Sequence, residues 1–185
     1  MTARKGSMSL VVLAAVVVSG CSVYDSRYAF DPGPVDVLAS KPGAVDAEPV
    51  RTLVTILGVR RADDRSALPP GVDVRLRVDN TSPYPVTLDP AKLVLFSAGL
   101  ERFADAIVRP AGPIDLAPGD SGMIDASFPY PEAATPGEMD LSGLNVRWTL
   151  VIDGESVTSS ATFGRLPRGY YDRHPHRIGV GYQRY

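Results

Sequence analysis

Between residues 72 and 79 the chain alternates without a break: Val72, Val74, Leu76 and Val78 are separated by Asp73, Arg75 and Arg77, and Asp79 closes the run. Successive side chains of an extended strand point to opposite faces. The run therefore predicts a strand with one buried and one wetted face, not an amphipathic helix, whose apolar positions recur about every 3.6 residues. Leu144, Val146, Trp148, Leu150 and Ile152 repeat the pattern around Asn145, Arg147 and Thr149. Asp153-Gly154 follows, a pair suited to a tight type I′ turn, in which both central residues need positive φ. The return strand then places Val157, Ala161 and Phe163 inward and Thr158, Ser160 and Thr162 outward.

Further strands are expected at Arg51–Val59, apolar on both faces as a central strand would be, and at Gly122–Tyr130, with Ile124, Ala126 and Phe128 on one face. Lys92–Ala98 and Arg102–Val108 flank Gly99 and are candidates to pair with each other. Gly and Pro number 17 each among 185 residues, and they cluster in the breaks, at Leu68–Gly71, Asp79–Pro85, Ala117–Asp120 and Pro129–Gly137. Beyond residue 21 no segment holds a helical period. About seven short strands joined by such turns predict an all-β domain over residues 50–163, an antiparallel β-sandwich of immunoglobulin-like type, with a small barrel as the alternative. The inward phase of Trp148 makes it a core residue first and a ligand platform second.

The N-terminal residues read differently. Arg4 and Lys5 precede Met8–Val18, an apolar run of 11 residues, too short to span a bilayer as a helix. Ser19 and Gly20 then lead to Cys21, the single cysteine. Val18-Ser19-Gly20-Cys21 resembles the bacterial lipobox. That resemblance implies a signal peptide over 1–20, cleavage after Gly20, a diacylglyceryl group on the Cys21 thiol and acylation of the new amine. Two or more acyl chains give stable membrane anchoring, where one is marginal. Ser22, which is not Asp, implies by the same resemblance delivery to the outer membrane of the cell envelope in preference to the cytoplasmic membrane. A second resemblance lies further on. Val78–Ser82, Pro85-Val86-Thr87-Leu88-Asp89-Pro90, Leu93–Leu95 and Leu116–Ser121 look like the layout of uncharacterised envelope lipoproteins with an immunoglobulin-like domain. These are turn and strand motifs, and they imply fold alone.

Residues 21–49 contain Pro32, Pro34, Pro42 and Pro49 without a period and are expected to form a lipidated, Pro/Gly-rich tether. The alternative is that part of this stretch packs on the body as an edge segment. Residues 164–185 hold five Arg and one Asp, a net of +4, against −8 for residues 21–163. With Tyr170, Tyr171, Tyr182 and Tyr185 interleaved, such a tail suits anionic partners, although an edge strand folded onto the acidic body is the preferred expectation. The overall formal charge of −2 argues against a globally basic nucleic-acid binder, and no nucleic-acid partner is expected.

Catalytic motifs are missing: no G-x-S-x-G elbow, no phosphate-binding glycine loop, no paired cysteines. His174 and His176 flank Pro175 and would face the same way on an extended chain, but two ligands are short of the usual number for zinc, about four. The cluster Arg60-Arg61…Asp63-Asp64-Arg65 reads as a solvated loop. The expectation is a membrane-anchored envelope lipoprotein acting as a non-enzymatic binding or structural module, without a cofactor. Its partners would be the membrane, through lipid on Cys21, and an envelope protein or anionic envelope component. The alternative is a small-ligand or metal-binding lipoprotein that uses the His-Pro-His segment.

Overall fold

The computed structural model describes residues 23–31, 33–62, 67–131 and 137–167. Among the described residues ten strands are formed: β1 (Val35–Ala39), β2 (Val50–Arg60), β3 (Gly71–Asp79), β4 (Val86–Leu88), β5 (Val94–Ser97), β6 (Ile107–Arg109), β7 (Ile114–Leu116), β8 (Ser121–Pro129), β9 (Gly143–Ile152) and β10 (Glu155–Gly164). One sheet has the order β1-β2-β3-β8-β6. The second runs β10-β9-β4-β7, with β5 also paired to β9. Every pairing is antiparallel. The expected immunoglobulin-like sandwich is what the chain forms, with ten strands where about seven were read.

Register explains the core. Val54, Leu76 and Ile124 lie side by side across β2, β3 and β8, as do Ile56, Val74 and Ala126, and then Val59, Val72 and Phe128. All are buried. From the facing sheet, Leu144, Val146, Trp148, Leu150 and Ile152 are buried along β9, with Ala161 and Phe163 beside them on β10. Trp148 is therefore a core residue, as its phase predicted. Burying side chains of this size is worth about 1.5–3 kcal/mol each, and this layered contact is what selects the register. The β9–β10 hairpin closes on Asp153 (φ 49°) and Gly154 (φ 83°), the positive pair that a type I′ turn requires.

Four expectations need correction. β2 is not covered on both faces: Arg51 is exposed and Leu53 and Thr55 are half-buried on its outer side. Residues 92–98 and 102–108 do not make a full hairpin. Phe96 and Arg102 share one bridge and Phe103 N–H bonds Leu95 C=O, but Ala104 N–H then bonds Pro129 C=O and the chain crosses to pair β6 with β8. β7 was not anticipated. It pairs with β4, and Gly122 of β8 leaves the space that Leu116 and Ile114 occupy, since a Cβ there would stand 3.0–3.1 Å from their methyl groups.

The largest correction concerns residues 23–49, which are not a free tether. Residues 35–39 form β1 on the edge of the first sheet. Beyond it, Lys41 reaches the turn of the far hairpin, with its ammonium 2.6 Å from the Asp153 carboxylate and 4.8 Å from the Tyr84 ring centre. Thr81 Oγ1 donates to Pro49 C=O. Pro and Gly density marked this stretch as extended, and extended chain is what an edge strand needs.

Candidate functional site

The feature that bears on function is the way residues 23–31 are strapped across one end of the sandwich. Tyr24 bridges Arg60, Asp25 N–H donates to Val59 C=O (2.7 Å) and Arg61 N–H donates to Val23 C=O (3.2 Å), so the segment begins as a continuation of the β2 edge. The chain then leaves that edge. Tyr28 N–H turns back to Asp25 C=O (3.0 Å), Phe30 bridges Arg165 just past β10, and Leu166 N–H donates to Ala29 C=O (2.8 Å). At Val35 it returns to β2. One short segment thus covers the β2 edge of the first sheet and pairs with residues 165 and 166, just past β10 of the second, where backbone groups would otherwise stand unpaired.

Side chains lock the strap. The Tyr24 ring lies over Gly58, where a Cβ would come within 2.7 Å of it. Phe30 is buried in the core. Asp25, 4% exposed, accepts from Arg27 Nε (3.0 and 3.1 Å) and Nη2 (2.7 Å), and from the Arg27 N–H (3.0 Å). Arg61 Nη2 lies 3.5 Å from the same carboxylate. The charge-assisted bonds from Arg27 outweigh the cost of burial and hold the Asp25 carboxyl at about 2, below its ordinary 3.8. The carboxylate points inward and the two guanidinium groups outward: the Arg27 and Arg61 side chains are 66% and 53% exposed. The Arg165 guanidinium caps the Tyr28 ring at 4.8 Å, with Arg27 at 5.8 Å.

Beneath the strap, Arg60 is buried. Its Nε donates to Pro69 C=O (3.0 Å), one Nη2 hydrogen goes to Ser127 Oγ, and Nη2 makes a 3.0 Å ionic contact with Asp73. Tyr130 is buried against Phe103, its hydroxyl without a partner among the described residues. Burial first, and then the nearby Tyr28 and Asp25, push that phenol well above its ordinary value.

Of the residues singled out from the sequence, Cys21, His174, His176, Asp63, Asp64, Arg65 and the tail from residue 168 onward lie outside the described residues. Arg165 is placed, at the strap. Arg60 and Arg61, read together as a solvated loop, separate in role: Arg60 is a buried strut and Arg61 faces outward. Asp25, Arg27 and Phe30 were not singled out. Their signal was the aromatic spacing of Tyr24, Tyr28 and Phe30 around an Asp-x-Arg pair, masked by the proline content that follows. Among the described residues, no group of three His, Cys, Asp or Glu side chains is placed to hold a metal ion.

No family model matches this chain, and no curated protein matches it. Among solved structures it is similar to a FixG-related protein from Vibrio parahaemolyticus, at 13% identity and a TM-score of 0.36, covering 65% of this chain and 99% of that one. It is also similar to the GAE domain of GGA2p from Saccharomyces cerevisiae, at 12% identity and a TM-score of 0.28, covering 73% and 99%. The fold assignment rests on the strand pairing of this chain itself.

Proposed function

We propose that this protein is a lipid-anchored component of a bacterial cell envelope, a non-enzymatic module that binds or braces another envelope component. The observation that carries the reading is the junction between the lipobox-like tetrad and the fold. Val23, two residues after Cys21, is already hydrogen-bonded into the body through Arg61. Covalent geometry then keeps the Cα of Cys21 within about 7.6 Å of the Cα of Val23. A lipid on that thiol would seat the sandwich directly on a bilayer, with no spacer. Asp25 and Arg60 at this end are committed to holding the chain: Asp25 to Arg27 and Arg61, and Arg60 to Asp73 and Ser127. That supports a binding or structural role over a catalytic one. By its residue at position 22, the outer membrane is the favoured location.

Cys21→Ser tests the anchor. In cells fed a labelled fatty acid, the wild-type chain is expected to incorporate label and to shorten by its signal segment, and the variant to do neither. Equal labelling of the two chains would refute the reading.

A further inference from the structure

We propose that β10 is a self-association edge, on which a second copy of this chain adds its own β10 antiparallel, about a two-fold axis at Ser159. This interface is independent of the lipid anchor, and all of its residues are described.

Edge strands are where sheets recruit further strands, and proteins blunt them by keeping them short or by placing charge or proline on them. The edges of this sandwich follow that rule except at β10. β1, β6 and β7 have 5, 3 and 3 residues, and Pro34, Pro110, Pro113 and Pro118 stand close to their ends. β10 has 10 residues, and from Ser156 to Gly164 it carries neither charge nor proline. Its register with β9 is unbroken, so its backbone groups alternate between β9 and the open side. The phase is set just past its end. Arg165 N–H turns to the β9 side and donates to Ser142 C=O (2.9 Å), whereas Leu166 N–H turns the other way, to Ala29 of the strap. Ser156, Thr158, Ser160 and Thr162 therefore present their N–H and C=O groups outward. The strap meets this edge only near Arg165 and Leu166, and β1, which lies near β10 in the other sheet, pairs with β2. Among the described residues nothing pairs with these four on the open side.

The edge is complementary to itself. Antiparallel pairing about a two-fold at Ser159 sets Ser156 opposite Thr162 and Thr158 opposite Ser160, each twice, so outward backbone groups of one copy meet those of the other. On the outer face this extends a ladder that already crosses from β9. Thr149 Oγ1 lies 3.1 Å from Thr158 Oγ1, and Asn145 Nδ2 donates to Thr162 Oγ1 (2.9 Å). Hydroxyl pairs of this kind stabilise cross-strand neighbours. On the inner face Val157 stands opposite Ala161. Val157 is half-buried at the rim of the core, and a strand added there would complete its cover. Charge does not oppose the contact. The turn of one copy, with Lys41, Asp153 and Glu155, comes beside Asp31 and Arg165 of the other, so both signs stand on both sides. The two-fold also turns the two strap ends in opposite directions. Two copies anchored in one bilayer would therefore lie with their strands along it.

The test uses the full chain purified from the cells that make it, in detergent. Sedimentation is expected to show a monomer–dimer equilibrium. Ser159→Cys lies on the axis, where directly opposed residues stand close enough for a disulfide, and should give a linked dimer under mild oxidation. Ser156→Cys is the control: its own counterpart lies about 20 Å away along the strand, so it should stay unlinked. Chains carrying Ser156→Cys and chains carrying Thr162→Cys, once mixed, should link to each other. The unsubstituted chain reports any link made through Cys21. Ser160→Pro removes an N–H that faces the open side, a place where an edge strand tolerates proline, and is expected to abolish the dimer while the melting transition is kept. Ser160→Lys, at an exposed position, should abolish it by placing charge on the edge, and it decides the matter if the proline variant melts early. A purified chain that stays monomeric, equal linking at 156 and 159, or association that survives both substitutions at 160 would overturn the proposal.

Discussion

Asp25 illustrates how a single side chain can be both buried and ionised. Its carboxylate is lowered to about 2 by Arg27. A carboxyl group held below its unfolded value stabilises the fold at pH above that value, near 3.8, and the contribution disappears as pH falls through the folded value, near 2. The shift corresponds to at most about 2 kcal/mol, and the exposure of Arg27 reduces it toward about 1 kcal/mol. Asp25→Asn is therefore expected to melt several degrees below wild type at neutral pH and to converge with it near pH 2. A gap that is constant across pH would mean that the clamp works through packing alone. Arg27, the clamp's main partner, stands two residues from Asp25, but the rest was not legible from the sequence, because the other partners of the strap, Val59, Arg61, Arg165 and Leu166, are remote in the chain. Local pattern cannot report a pairing that only the closed sandwich creates. Trp148 was legible, because its burial follows from phase within one strand.

At the scale of elements, the same contrast separates the strands. The long β9–β10 hairpin was readable from its alternation and from Asp153-Gly154, and β3 and β8 from alternation alone. β1 and β7 were not. They are 5 and 3 residues long, lie at sheet edges and follow prolines, and although their burial alternates, so few residues are too short a run for alternation to stand out from a Pro-rich stretch. The hairpin offers a direct check. A Cβ at Gly154 meets nothing within 4 Å, so any penalty for a side chain there is purely one of backbone conformation. Gly154→Val should cost on the order of 1–3 kcal/mol. Gly154→Asn, which tolerates positive φ, should recover most of it. Denaturant midpoints of the two variants decide the matter, and matching losses would show that the turn is not of this type.

For the molecule as a whole, residues 23–39 tie the two sheets together along one side of this end, as residues 102–104 do along the other through Leu95 and Pro129. Deleting residues 23–39 would remove buried Phe30, a loss of about 3–5 kcal/mol by itself, would expose the edge of β2 and would unpair residues 165 and 166. The expected outcome is a large drop in the melting transition together with concentration-dependent association by light scattering. A free tether would leave both measurements unchanged. The strap also sets an order of events. Phe30 and Ala29 find their partners in Arg165 and Leu166, which are separated from them by nearly the whole described chain. A polypeptide is made and moved from its first residues to its last, so the earliest part of this fold must wait for the latest. Until residue 166 arrives, Phe30 has no seat and the sandwich stays open at one end. This end of the fold therefore closes only after residue 166 has been made, so its completion is a long-range, late event in folding.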